Sequence, residues 1–143
     1  MIYYLDTNIL IYAFFEKDGR DNLSYEVINI LEDYSNLSKT SGACVREMLH
    51  LYKFGNIVFK KSNLKNAPGI IAGLKDAGIE IVPFTEKHLS TYAELDIDST
   101  KNKDPNDHII VSQAISDKIP LISSDQDFKN YTSQGLNFIF NKR

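Results

Sequence analysis

Residues 2–8 of the chain, IYYLDTN, contain the pattern that decides the fold. The first four letters are apolar and rich in β-branched and aromatic residues, which is typical of a buried strand. The next three residues, Asp6, Thr7 and Asn8, carry side chains that cap helices, so a helix is expected over residues 9–15. A strand that passes directly into a helix favours an α/β fold.

The alternation of strand and helix continues along the chain. Apolar periodicity and capping residues predict helices over residues 24–34, 44–53, 63–77, 85–95 and 105–116, and strands over residues 39–41, 80–83, 120–123 and 137–140. Pro68 and Gly69 weaken the start of the third of these helices. No repeat or linker interrupts the pattern, so we expect one domain over residues 1–143, with a mainly parallel sheet of about four or five strands flanked by helices.

The composition excludes several classes of protein. With 143 residues, 43% hydrophobic and 24% charged, the chain is neither disordered nor fibrous. Its one cysteine, Cys44, excludes an internal disulfide and a cysteine-rich zinc site, which makes a reducing cytoplasm the expected location. Asp6 and Asn8 interrupt the apolar residues 2–15, so neither a signal peptide nor a membrane span is expected. The net charge of −3 argues against a protein that coats duplexes, but bound divalent cations would still allow a nucleic-acid enzyme.

Two aspartates directly follow predicted strands. Asp6 comes after the first strand, and Asp125 comes just after the strand that ends near Ser123. Ligands of open α/β sheets bind beyond the carboxyl ends of the strands, where both side chains are expected. Each aspartate could instead be an ordinary helix or loop cap. If the two strands are neighbours, however, the two carboxylates converge on one crevice.

Two further acidic residues lie on predicted helices. In the sequence DPND, residues 104–107, Asp104 is expected to cap a helix that has Pro105 in its first position. Asp107 then lies on the apolar side of this helix, where a carboxylate needs a partner such as a metal ion. Glu47, on the helix over residues 44–53, has the spacing of an ordinary exposed glutamate.

Four segments resemble the motifs of the PIN-domain nucleases, and in particular the small VapC-type toxin ribonucleases. They are YLDTNIL (residues 4–10), SGACVRE (residues 41–47), DPNDHIIVSQA (residues 104–114) and ISSDQDF (residues 122–128). All four occur in the family's order and at family-like separations, from the first strand to the last. One departure is His108, at a position where close relatives often carry arginine.

The resemblance implies a Rossmann-like PIN domain and a metal-dependent endoribonuclease, a hydrolase that cleaves RNA phosphodiester bonds. It implies one set of catalytic and metal-binding carboxylates: Asp6, Glu47, Asp107 and Asp125. It implies a second set of supporting polar side chains: Thr7, Asn8, Asp104, Ser123 and Asp127. The expected cofactor is Mg²⁺ or Mn²⁺, as one or two ions, and the expected partners are RNA, a cognate antitoxin protein and a second copy of the chain in a homodimer.

Carboxylate chemistry agrees with this interpretation. Hard oxygen ligands favour magnesium or manganese over zinc or copper, and such ions can activate water and stabilise the leaving oxygen of a phosphodiester. The three histidines lie in separate segments and are expected to be surface or satisfied helix residues, which gives no histidine dyad. The residues that bind RNA are not identified by any motif. Five lysines could contact RNA phosphates, although ordinary solvated lysines are the commoner explanation: Lys53, Lys60, Lys61, Lys101 and Lys103.

Other functions remain open from the sequence alone. A haloacid-dehalogenase-like phosphatase would need a second aspartate where Asn8 stands. A receiver-like, magnesium-dependent phosphoacceptor would need paired acids after the first strand and a strand-end lysine near the C terminus. A small phosphodonor and a search for an acyl phosphate would identify the latter. A PIN nuclease acting in RNA processing rather than as a toxin, and a degenerate PIN domain acting only as a binding module, are further alternatives.

Overall fold

A computed structural model of the chain describes residues 1–55 and 66–142. In this part the strands are Ile2–Leu5 (β1), Leu37–Ser41 (β2), Ile79–Val82 (β3), Leu121–Ser123 (β4) and Phe138–Phe140 (β5). The α-helices of the same residues are Thr7–Leu10 (α1), Tyr25–Glu32 (α2), Gly42–Lys53 (α3), Ala67–Asp76 (α4), Glu86–Glu94 (α5) and Pro105–Asp117 (α6). A π-helical turn, Ile11–Phe15, continues α1, and the short 3-10 segments are Gly19–Asn22, Asp98–Thr100 and Gln126–Gln134.

The five strands form one sheet in the order β3-β2-β1-β4-β5, and every neighbouring pair is parallel. The chain moves from β1 to β2 and β3 on one side and then crosses to β4 on the other side of β1. This change of direction creates a topological switch point between β1 and β4, the usual place for a ligand crevice in open α/β folds. The predicted α/β class and parallel sheet are confirmed.

The centre of the sheet is buried, as expected for strands covered on their faces by other elements. Tyr4 and Leu5 of β1 and Leu121 and Ile122 of β4 are completely buried. Continuous apolar strands of this kind are characteristic of parallel sheets. In the described ranges no helix is both long enough and apolar enough to cross a membrane.

A hydrogen-bonded cluster joins β1, α5 and α6 at the end of α6 that lies away from Asp107. The Tyr4 hydroxyl donates to Asp117 Oδ2 at 2.6 Å, and His88 Nε2 lies 3.1 Å from both carboxylate oxygens of Asp117. The Thr85 backbone N–H donates to His88 Nδ1, so Nε2 carries the proton. Burial alone would raise the pKa of Asp117, but these hydrogen bonds outweigh burial and lower it.

Several element boundaries differ from the predicted ones. The first helix begins at Thr7 rather than residue 9, because Asp6 alone serves as its cap and accepts a hydrogen bond from the Thr7 backbone. The second half of the predicted helix, Ile11–Phe15, is π-helical. Gly19 lies so close to the backbone of Tyr12 in this turn that position 19 has no room for a side chain. The helix predicted over residues 63–77 begins at Ala67 after an Asn66 cap, and residues 63–65 lie outside the described residues.

Candidate active site

An open cleft of about 180 Å³ lies at the carboxyl ends of β1 and β4. Its lining is mainly polar and acidic, with two apolar residues, Ile11 and Leu51. The lining residues are Asp6, Thr7, Asn8, Ile11, Glu47, Leu51, Asp104, Asp107 and Asp125. The four carboxylates predicted as metal ligands therefore share one cleft, although they come from four separate segments of the chain.

Asp6 is the most enclosed of these carboxylates, with 7% of its surface exposed. Its Oδ1 accepts the Thr7 backbone N–H at 2.8 Å, and its Oδ2 accepts the Ser123 hydroxyl at 2.7 Å. The pKa of Asp6 is raised to about 6, mainly by burial and to a smaller extent by the negative charge of Glu47, while the hydrogen bonds from Ser123, Thr7 and the Cys44 thiol oppose the rise. Asp6 is thus a helix cap and a cleft residue at once.

Glu47 is brought to the cleft by α3 and is only partly exposed. The Thr7 hydroxyl donates a 2.7 Å hydrogen bond to Glu47 Oε2, which orients the carboxylate. The helix itself is fixed by Ser41, whose hydroxyl accepts the Ala43 backbone N–H. Spacing alone indicated an ordinary exposed glutamate, and that interpretation was wrong. The contact that changes it comes from a residue 40 positions earlier in the chain.

Asp107 lies in the first turn of α6 and is partly buried on the inward side, as its spacing predicted. Burial raises its pKa to about 7, and the negative charge of Asp6 contributes in the same direction. The Asn102 side-chain amide donates to Asp107 Oδ2 at 3.1 Å and opposes the rise. Asp6 and Asp107 line the same cleft, so their negative charges repel each other.

Asp125 follows β4 and caps the next 3-10 segment through a hydrogen bond from the Asp127 backbone N–H. The Ser123 hydroxyl donates to Asp6 and accepts the Asp125 backbone N–H at 3.1 Å, so one buried serine joins two of the acidic positions. Asn8 accepts the Ser124 backbone N–H, which ties α1 to the same loop. Thr7 and Ser123 thus contact cleft carboxylates and Asn8 contacts the loop that carries Asp125, while their supporting roles stay a prediction.

The secondary acidic positions differ from each other. Asp104 caps α6 through the Asn106 backbone N–H, as predicted, and also lines the cleft. The side chain of Asp127 is exposed and does not line the cleft. Buried Asn102 was missed by the sequence analysis, because a lone asparagine in a loop gives no motif.

The basic and histidine side chains are also placed by the structure. Among the lysines proposed for phosphate contacts, Lys53, Lys101 and Lys103 are exposed, whereas Lys60 and Lys61 lie outside the described residues. His50 is exposed, and His88 and His108 are buried with hydrogen-bond partners, as expected for surface or satisfied helix residues.

The chemistry of the cleft fits a hard divalent cation that keeps part of its water shell. Within residues 1–55 and 66–142, no lysine or arginine forms an ion pair with the four cleft carboxylates. In those ranges no three His, Cys, Asp or Glu side chains form a ready-made metal cluster. Magnesium sites commonly use only one or two direct carboxylates and several waters, so an open acidic cleft satisfies their requirements better than a closed zinc cage.

The fold and the cleft define a class: an α/β protein with acidic side chains gathered at the switch point of a parallel sheet. The PIN domain family model matches residues 3–133, and the chain therefore belongs to the PIN domain family. No match was found among curated protein sequences.

Solved structures with the same fold come from several bacteria. VapBC2 from Rickettsia felis, bound to a DNA fragment from its promoter, matches with a TM-score of 0.72 and 23% identity over 99% of this chain and 100% of that chain. VapBC-1 from nontypeable Haemophilus influenzae matches with a TM-score of 0.67 and 22% identity over 100% of both chains. VapBC-5 from Mycobacterium tuberculosis, a member of the VapBC family of toxin-antitoxin systems, matches with a TM-score of 0.57 and 17% identity over 99% and 98%.

Proposed function

We propose that this protein is a Mg²⁺- or Mn²⁺-dependent endoribonuclease that hydrolyses RNA phosphodiester bonds. The observation that carries the proposal is the meeting of Asp6, Glu47, Asp107 and Asp125 in one cleft at the switch point of the sheet. Membership of the PIN domain family supports nuclease chemistry at this place. It also disfavours the receiver-like and phosphatase alternatives.

The four carboxylates would hold one or two divalent ions. A bound ion would supply an activated water and stabilise charge on the phosphate oxygens. The surrounding residues keep the carboxylates in place: Thr7 contacts both Asp6 and Glu47, and Ser123 fixes the second oxygen of Asp6. Because these donors are already in position, little side-chain freedom remains to be lost when an ion binds.

The electrostatics of the cleft favour cation binding. The raised pKa values of Asp6 and Asp107 mean that, without a cation, these carboxyls hold protons up to near-neutral pH. A divalent ion held by these carboxylates would take the place of those protons and offset the repulsion between the negative charges. Metal binding should therefore release protons and become tighter as the pH rises.

We further propose that the nuclease is the toxin of a toxin–antitoxin pair in the cytoplasm. The support is the fold shared with VapBC chains over nearly the whole length of both proteins. On this proposal an antitoxin protein binds the chain and blocks cleavage, and two copies form a homodimer. The alternative within the same family is a nuclease that processes RNA without inhibiting growth.

The test of the enzymatic proposal is RNA cleavage by the full chain with Mg²⁺, Mn²⁺ or a chelator. We expect cleavage with either metal, none with the chelator, and none from the Asp6→Asn and Asp107→Asn variants. The matched control is Asp76→Asn, an exposed position at the end of α4 that lies outside the cleft. Continued cleavage by a pure, folded Asp6→Asn protein would contradict the mechanism.

The toxin proposal needs a separate measurement in cells. Induced expression of the wild-type chain in bacteria should arrest growth, and expression of Asp6→Asn to the same level should not. If the wild-type protein cuts RNA in vitro but leaves growth unaffected, the processing alternative replaces the toxin proposal while the enzymatic proposal stands.

A further inference from the structure

The structure assigns a role to two residues: Asn102, which lies outside the four PIN-like motifs, and His108, which stands in the third motif where close relatives often carry arginine. We infer that Asn102 is a positioning residue that orients Asp107 for metal binding, and that His108 fixes Asn102 through a hydrogen bond to its backbone carbonyl oxygen. The inference rests on the proposed function, because it concerns how one of the proposed metal ligands is presented.

The orientation of the Asn102 side chain is determined by its two contacts. The backbone N–H of Asp104 lies 3.1 Å from Asn102 Oδ1, and a backbone N–H can only donate. This contact fixes the oxygen end of the amide, so the nitrogen end must face Asp107, where it donates to Oδ2 at 3.1 Å. The side chain is 8% exposed in total, which keeps water from competing strongly for either contact.

The two carboxylate oxygens of Asp107 therefore have different surroundings. Oδ2 is occupied by Asn102, and in the described ranges Oδ1 has no hydrogen-bond partner. A carboxylate held through one oxygen presents the other in a defined direction. A metal ligand restrained in this way binds more tightly than one that must first be ordered.

His108 fixes the backbone that carries Asn102. Its Nε2 lies 2.7 Å from the Asn102 carbonyl oxygen, which can only accept, so Nε2 carries the proton and donates. The imidazole is 5% exposed and packs edge-on against Tyr92 with 6.2 Å between ring centroids. His108 therefore acts inside the protein, not on the surface beside the cleft.

The segment before Asn102 is restrained as well. The Asn102 backbone N–H donates to the Thr100 hydroxyl oxygen at 3.3 Å, and that hydroxyl lies 3.1 Å from the hydroxyl of buried Tyr131. Asn102 is thus held at its N–H, at its carbonyl and at both ends of its amide. A residue fixed at so many points can serve as a rigid support for its neighbour.

The experiment measures Mn²⁺ binding by calorimetry on the full chain without RNA, followed by cleavage kinetics. Loss of a residue that orients a metal ligand typically weakens metal affinity about 10- to 100-fold, and we expect this for Asn102→Ala. The KM for RNA should stay within about twofold, because Asn102 is buried and is not among the residues that line the cleft. The matched control is Asn36→Ala in the loop before β2, which likewise loses a side-chain amide donor, in that case one that donates to the Ile30 backbone carbonyl rather than to a carboxylate.

A second pair of variants tests the support from His108. His108→Phe keeps an aromatic ring against Tyr92 but removes the donor, and we expect weaker Mn²⁺ binding. His108→Gln restores a side-chain N–H and should recover most of the affinity. If Asn102→Ala fails to fold, this pair decides the question alone.

The possible results distinguish the positioning role of Asn102 from the proposed nuclease function. A merely structural role would lower the melting temperature and leave the Mn²⁺ dissociation constant of the folded protein unchanged. Wild-type Mn²⁺ affinity in both Asn102→Ala and His108→Phe would therefore overturn the positioning role and leave the nuclease intact. A wild-type chain that neither binds Mn²⁺ nor cuts RNA would overturn the proposed function, and the positioning role with it.

Discussion

The buried carboxyls of the cleft should lower the free energy of unfolding of the metal-free protein as the pH rises. The substitution Asp6→Asn should remove a defined part of this pH-dependent decrease. Folding raises the pKa of Asp6 from 3.8 to about 6. Between these two values the folded chain binds more protons than the unfolded chain, so the free energy of unfolding falls with increasing pH. The stabilisation is fully present below pH 3.8 and is lost as the pH rises through about 6.

The size of the effect follows from the same two values. At about 1.4 kcal/mol for each pKa unit, a rise from 3.8 to about 6 corresponds to a loss of about 3 kcal/mol. Asparagine is uncharged throughout the range and avoids this loss. The raised pKa of Asp107 acts with the same sign, and part of its rise depends on the negative charge of Asp6. Removing the Asp6 charge therefore reduces the pH dependence from both positions.

The assay is urea unfolding of the two proteins in chelator at about pH 3.5, 6 and 8, within the window that the linkage relation defines. From the lowest to the highest pH, the free energy of unfolding of wild type should fall relative to that of Asp6→Asn by about 3 kcal/mol. Addition of Mg²⁺ at the highest pH should stabilise wild type, by about 2.7 kcal/mol at a hundred times the dissociation constant, and not the variant. Parallel pH profiles for both proteins would refute the reasoning.

Three further predictions address other parts of the molecule. Thr7→Val keeps the shape of the side chain but removes the hydroxyl that donates to Glu47, so the Mn²⁺ concentration for half-maximal cleavage should rise about 10- to 100-fold while the circular dichroism spectrum is unchanged. Tyr4→Phe removes the donor to Asp117, so thermal unfolding should show a loss of about 1–3 kcal/mol, with Mn²⁺ affinity unaltered because the cluster lies at the other end of α6. Lys103→Ala should weaken RNA binding and lower the salt slope of the affinity by about 0.7 if this exposed lysine contacts a phosphate, and an unchanged slope would exclude that contact.

The order of strands and helices could be predicted because the relevant signals are local. The apolar residues of β1 and the DP pair at residues 104–105 mark a strand and a helix start without reference to the rest of the chain. The pairing of strands is not local. That β1 and β4 are neighbours depends on Leu5 meeting Ile122, residues more than a hundred positions apart, and the sequence analysis could only state what would follow if they met.

The same distinction explains which site residues were found from their own surroundings and which were not. Asp6 and Asp125 were candidates because strand ends point to the ligand edge of a parallel sheet. Glu47 was not, since its partner Thr7 reaches it only after folding, and a family resemblance was needed to select it.

Neither local sequence patterns nor the family resemblance identified Asn102. The role inferred for it depends on two contacts within five residues along the chain: one with the backbone of Asp104 and one with the carboxylate of Asp107. A short loop of this kind carries no periodicity, and its geometry depends on the hydroxyl of Tyr131 and the imidazole of His108 on separate elements. The restraint on Asp107 is therefore a property of the folded chain, and measuring metal affinity in variants that leave all four cleft carboxylates intact is the direct way to detect it.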